Sequence, residues 1–144
     1  AIEDALRVLH TEYKRKKIEI VKSYSAKNPF VMGVHGRLCQ VFINLIKNGI
    51  EAIGIEKGKV EIKTDNTQDG SVTIRVEDTG CGMDEETKVN LFKPFFTTKP
   101  QGVGLGLYVT NEIVKSLNGE IRVESEKGKG TRFELIFPAY QQLS

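Results

Sequence analysis

The chain has 144 residues, the length of one domain, which suffices to bury roughly 68–70% of the unfolded surface around a single core. Hydrophobic residues make up 39% and charged residues 28% of it, which excludes disorder, and a formal charge of +2 gives no electrostatic case for nucleic acid or an anionic membrane as the main partner. No apolar run approaches the ~18 residues of a membrane span and no secretory segment opens the chain; two cysteines, Cys39 and Cys81, are too few for a disulfide scaffold and lack metal-ligand spacing, so a reduced, cytoplasmic setting is expected.

In chain order, Ile2, Leu6, Leu9 and Tyr13 in the opening segment have helical spacing, and the helix ends in a basic turn. KIEIVKSY alternates as a half-buried strand with Ile18, Ile20 and Lys22 on one side of the pleat. FVMG is a short strand after Pro29, and a long helix is expected from Gly36 to Ile53, closed by Gly54. KVEIKTDN and SVTIRVED form a hairpin around a Thr-Gln-Asp-Gly turn. The glycine-rich stretch from Thr79 to Gly102 carries only a short helix near Glu85–Leu91. A second core helix runs from about Val103 to Leu117 and stops at Asn118-Gly119, and EIRVESE and TRFELIFP close the chain as a hairpin. One domain over residues 1–144 is predicted, of the α+β class. It is a two-layer α/β sandwich whose mixed, mainly antiparallel sheet has one face covered by three helices. The start at Ala rather than Met is what a domain cut from something longer would show.

Three features carry chemistry. In the helix QVFINLIKNGIEAI, Gln40, Asn44, Asn48 and Glu51 fall at i, i+4, i+8 and i+11, so they line one face. Carboxamide oxygens one turn apart suit Mg²⁺, which takes hard oxygen ligands together with phosphate; the same spacing also describes the solvated face of an amphipathic helix. In VEDTGCGM, Asp78 stands at a strand end, where a carboxylate can accept from an exocyclic amine, while Gly80 and Gly82 let the backbone turn tightly. A plain Asp-Thr-Gly turn is the other reading. In GVGLGLYV, Gly102, Gly104 and Gly106 lead into a helix, whose free N–H groups favour an anion. That spacing is neither the dinucleotide fingerprint nor a P-loop. Between the last two lies NLFKPFFTTKPQ, with Lys93 and Lys99, a candidate lid with a cationic tip.

The order of these pieces decides between the readings. N-x-x-x-N on a helix, D-x-G-x-G after a strand, F-x-P-F-F, and G-x-G-L-G-L opening a helix resemble the catalytic ATP-binding domain of sensor histidine kinases. That group shares the Bergerat fold with gyrase, the ninety-kilodalton heat-shock chaperone and the mismatch-repair ATPase. The resemblance spans Ala1 to about Pro138. It implies ATP and Mg²⁺ as ligands, Asn48 as the metal ligand, and Asn44 assisting it at the metal and in catalysis. It implies that Asp78 receives the adenine amine, with Gly80, Gly82 and Met83 around the base. Phe92, Phe95 and Phe96 match the phenylalanine box, and Thr97, Thr98 and Lys99 look like the lid of nitrogen-regulation-type kinases, where Lys99 would act on the terminal phosphate. Gly102, Val103, Gly104, Leu105, Gly106 and Leu107 match the loop that closes over the phosphates. Gly128, Gly130 and Thr131 fit the last short box, with Thr131 at the nucleotide.

Departures from the family pattern refine the expectation. Gly49 stands where Ala is usual, which weakens the helix by up to ~1 kcal/mol, and Glu51 stands where Lys or Gln is frequent. Asn44 occupies the position at which hydrolysing relatives carry a water-activating Glu, so transfer to a protein side chain is expected over hydrolysis. His10 and His35 lack the context of a phosphoacceptor. The acceptor and dimerisation domain, and the response regulator, are therefore expected as partners outside this chain. A stand-alone serine kinase of the anti-sigma-factor type is the alternative reading.

Overall fold

The computed structural model describes residues 1–24, 35–53, 58–96 and 105–138. Helix α1 (Ile2–Arg15) buries Ala5, Leu6 and Leu9. It ends on Lys17, whose φ of 57° lets the Lys17 and Ile18 N–H groups close onto the Lys14 and Tyr13 carbonyls. That left-handed residue is why β1 (Glu19–Tyr24) starts two residues later than the alternation predicts. Helix α2 (His35–Ile53) crosses over to β2 (Lys59–Asn66), which pairs with β1 in parallel, as a strand pair joined by a helix must.

The hairpin to β3 (Val72–Asp78) turns at Gly70, with φ 87°. The short α3 (Glu85–Asn90) is capped by Asp84, whose carboxylate accepts from the Thr87 N–H. Helix α4 (Gly106–Ser116) stops where Asn118, φ 60°, lets the Gly119 N–H reach the Val114 carbonyl. Strands β4 (Glu120–Glu126) and β5 (Gly130–Phe137) complete the sheet, in the order β1-β2-β3-β5-β4. The strand expected at FVMG and the helix stop at Gly54 lie outside the described residues.

The two-layer architecture is the predicted one. Val60 and Ile62 of β2, Val72, Ile74 and Val76 of β3, and Phe133, Leu135 and Phe137 of β5 are buried on one face. Against them α2 places Val41, Phe42, Leu45, Ile46 and Ile50, with α1 and α4 packed on either side of it. The opposite face carries a charge ladder. Arg75 pairs with Glu134 at 2.9 Å, and Arg132 lies between Glu77 at 3.4 Å and Glu124 at 3.5 Å. The period-2 alternation seen in the sequence is thus the division between a core and a solvated face.

Candidate functional site

At the end of β3 the buried row Val72, Ile74, Val76 is continued by a carboxylate. Asp78 is only 5% exposed, and its register partners are Val60 on β2 and Thr131 on β5. Its Oδ1 accepts from the Gly80 N–H at 2.8 Å. Burial pushes the Asp78 carboxyl up to about 6, opposed by backbone N–H groups of Gly80 and Thr131 and helped slightly by the charge of Glu77. A carboxylate kept in an apolar row by so little hydrogen bonding costs stability, which makes it a candidate functional group.

The loop after Asp78 is fixed by contacts that only glycine allows. Gly80 lies on Ala52 of α2, where an added Cβ would come within 2.6 Å of the Ala52 carbonyl carbon. The Cys81 N–H then donates to the Ala52 carbonyl at 3.0 Å. Gly82, at φ 69°, abuts the Glu126 carbonyl. Lys16 Nζ reaches the Ile50 carbonyl at 3.2 Å. The last turn of α2 therefore finds hydrogen-bond partners for its end carbonyls in Lys16, the residue that follows α1, and in the loop itself.

Ser125 on β4 joins the loop to Thr131. Its Oγ accepts from the Met83 N–H at 2.8 Å, lies 2.9 Å from the Gly130 carbonyl and 2.8 Å from Thr131 Oγ1. One hydroxyl with one proton and two lone pairs serves all three when it donates to Gly130 and accepts from Met83 and Thr131. Sequence reasoning passed over Ser125, yet its place on the inward parity of β4, after Ile121 and Val123, was readable from the alternation.

The other end of the site lies where α2 meets α4. Asn44 Nδ2 donates to the Gly106 carbonyl at 3.0 Å and to Thr110 Oγ1 at 3.1 Å, while Thr110, fully buried, donates back to Gly106 at 2.8 Å. Both amide protons are thereby used inside the protein, which fixes the carboxamide orientation and turns Oδ1 into the remaining acceptor. Asn48 is half-buried one turn further along the same face, and the next residue, Gly49, packs on Asp78. Helix α2 so connects the predicted metal pair to the predicted base acceptor. Thr110 is a second residue that sequence reasoning missed; its i+4 relation to Gly106 was the available signal.

The remaining expected residues divide. Met83, Phe92 and Leu107 are half-buried against the core, and Leu105 is the N-cap residue of α4. Phe95 is 71% exposed with φ 65°. Thr97, Thr98, Lys99, Gly102, Val103 and Gly104 lie outside the described residues. Among the described residues no helix is long and apolar enough to cross a membrane, and no cluster of three His, Cys, Asp or Glu side chains could hold a metal.

Comparison with known proteins agrees with this geometry. Residues 33–141 match the family described as histidine kinase-, DNA gyrase B-, and HSP90-like ATPase. Sporulation kinase C of Bacillus subtilis (strain 168) is 39% identical over 95% of this chain and 32% of its own length. The signal transduction histidine-protein kinase AtoS of Escherichia coli (strain K12) is 33% identical over 98% of this chain and 23% of its own. The chain thus spans about a third or less of these curated relatives. Among solved structures, the nucleotide-free catalytic domain of histidine kinase ThkA superposes with a TM-score of 0.83 at 31% identity, covering 95% of this chain and 89% of that one. Full-length ShkA in complex with AMPPNP gives 0.85 at 26% identity, over 99% and 30%. With these matches beside a carboxylate at the end of β3 and paired carboxamides on α2, the chain belongs to the histidine kinase-, gyrase B- and HSP90-like ATPase family and, within it, to the catalytic ATP-binding domains of sensor histidine kinases.

Proposed function

We propose that this chain binds ATP with Mg²⁺ and delivers the γ-phosphoryl group to a histidine on a phosphoacceptor and dimerisation domain outside it, from which a response regulator takes the phosphate. The setting is the cytoplasm. The observation that carries the reading is Asp78, a carboxylate buried in an apolar row and held by the Gly80 N–H. Such a group suits the exocyclic amine of adenine, a donor that water cannot replace at equal strength in a dry site. The glycines at 80 and 82 bring the backbone against the base.

Asn44 and Asn48 fit a hard cation. Asn44 has given both amide protons to α4, so its carbonyl oxygen is the group it offers, and Mg²⁺ accepts one or two such ligands beside phosphate oxygens and water. When bound, the ion neutralises charge on the phosphates. Asn44 is an amide and takes no proton from water, so the chain has positioning groups and no general base at that place. That favours transfer to an oriented side chain over hydrolysis. Lys99 would act on the charge of the moving phosphoryl group, with Thr97 and Thr98 beside it and the Gly102–Leu107 backbone around the phosphates.

The test is incubation with γ-labelled ATP, with and without a separate helical hairpin bearing the acceptor histidine. Acid-labile label on the hairpin, with negligible label on the isolated chain, is expected. Acid-stable label on serine points instead to a serine kinase of the anti-sigma-factor type. Label on His10 or His35 overturns the assignment of the acceptor to another domain.

A further inference from the structure

Asp78, Thr131 and Ser125 stand side by side across β3, β5 and β4. Thr131 is the register partner of Asp78 on one side and of Ser125 on the other, so the three side chains share the inward face of the sheet. A ligand group seated on the Asp78 carboxylate therefore lies next to the Thr131 hydroxyl. What Thr131 can offer that group depends on where its one proton goes.

The neighbours of Ser125 decide it. The Met83 N–H, 2.8 Å from Ser125 Oγ, can only donate, and the Gly130 carbonyl, 2.9 Å away, can only accept. Gly130 is not free to turn its carbonyl aside, because at φ 111° it abuts the Asp78 carbonyl. Two oxygens 2.9 Å apart attract only with a proton between them, so the Ser125 proton goes to Gly130. The Thr131 hydroxyl, 2.8 Å from the same Oγ, then supplies the proton of that contact. The protons of the row run from Thr131 to Ser125 to Gly130, away from Asp78. The carboxylate's own bonds agree: among the described residues its donors are the Gly80 and Thr131 backbone N–H groups.

We propose that Ser125 is a positioning residue for base selection: by taking the Thr131 proton it leaves Thr131 Oγ1 facing the base with lone pairs only, so that Asp78 and Thr131 form a two-acceptor edge that admits the 6-amino group of adenine and rejects a 6-oxo purine. A carbonyl set against two buried acceptors leaves all of them unmatched, which discriminates more strongly than shape does. The inference rests on the assignment of Asp78 to adenine and deepens it by naming a residue that sets what the base meets.

The test measures ADP and inosine 5′-diphosphate, whose base carries a 6-oxo group in place of the amine. Calorimetry is run on native protein, on Ser125→Ala, and on Ser125→Ala combined with Thr131→Val. Native protein binds ADP more tightly. Ser125→Ala frees the Thr131 hydroxyl to turn and donate to the 6-oxo oxygen. Inosine diphosphate then binds about threefold tighter, ADP about threefold weaker, and the preference narrows about tenfold. Adding Thr131→Val removes the gain for inosine diphosphate. A strut without influence on the proton weakens both ligands alike, so an unchanged preference overturns the proposal. So does a narrowed preference in which inosine diphosphate binds no tighter, or in which its gain survives Thr131→Val. Should Ser125→Ala fail to fold, Ser125→Cys, whose thiol fills the site but accepts weakly, is held to the same criteria. Native protein that binds both ligands equally removes Asp78 from adenine recognition, and this inference with it. An intact native preference with an unmoved ratio in the variant removes the inference alone.

Discussion

Glu77 and Asp78 are adjacent carboxylates on one strand, and the pleat gives them opposite circumstances. Glu77 points to the open face and is 3.4 Å from the Arg132 guanidinium, with its side chain 43% exposed. Asp78 points inward, is 5% exposed and has only backbone donors. The same functional group is solvated and paired in one position and desolvated without a cation in the other. Surface pairs such as the first contribute little to stability. A buried, incompletely compensated carboxylate destabilises the fold and is kept for what it binds. Where a strand's buried parity meets a charged side chain, function is the first place to look.

The sharpest way to test this contrast is Asp78→Asn. ATP and ADP affinities should both fall by roughly tenfold to a hundredfold, the worth of one hydrogen bond to a charged acceptor, and calorimetry reads this directly. Stability should move the other way. The carboxyl's pKa is raised in the folded state, from 3.8 to about 6, so between those values the folded protein holds more protons than the unfolded one. The native residue's stabilising contribution is therefore full below pH 4 and lost as pH rises through 6. Relative to Asp78→Asn, native protein should be about 2–3 kcal/mol less stable at pH 7.5, with the gap closing toward pH 4. Denaturant melts at the two pH values check the sign.

The next expected effect concerns ligand binding. ADP affinity should be level above pH 7 and weaken as pH falls below 6, because protonated Asp78 is a poorer acceptor. A profile that stays flat to pH 5 would detach recognition from this carboxyl. Ser125→Ala should cost about 1–2 kcal/mol of stability, through the Met83 N–H and Thr131 hydroxyl left short of a partner, and weaken ADP a fewfold. Smallest of all is Glu77→Gln, expected within about 0.5 kcal/mol and without effect on nucleotide affinity. An effect of Glu77→Gln as large as that of Asp78→Asn would erase the distinction between the two faces.

Most of the fold was legible in the sequence, for identifiable reasons. β2 and β3 alternate cleanly and enclose an Asp-Gly turn, so their bounds were read to within one residue. Helix α2 has the apolar stripe of a core helix. What escaped were relations between elements. Nothing in the one-dimensional pattern says that Ser125 touches Met83, that Asn44 spends its amide protons on α4, or that the weak helix former at 49 faces Asp78. Those contacts come from strand order and helix docking, which local periodicity does not encode. The expected phosphate loop was assigned by resemblance, since glycine spacing alone matched no phosphate motif.

The strand order has a consequence for how the protein is made. β5 lies between β3 and β4, although among the described elements it is the last to be synthesised. Until it inserts, β3 has a free edge, Asp78 has no Thr131 beside it, and β4 has nothing to pair with. A ribosome-bound chain that has produced α1 to α4 still lacks the strand that encloses Asp78, and its exposed β3 edge is open to wrong pairing. Nucleotide can therefore stabilise the finished domain but cannot template the nascent one, and rescue by ATP of a destabilised variant should begin only once β5 has left the ribosome.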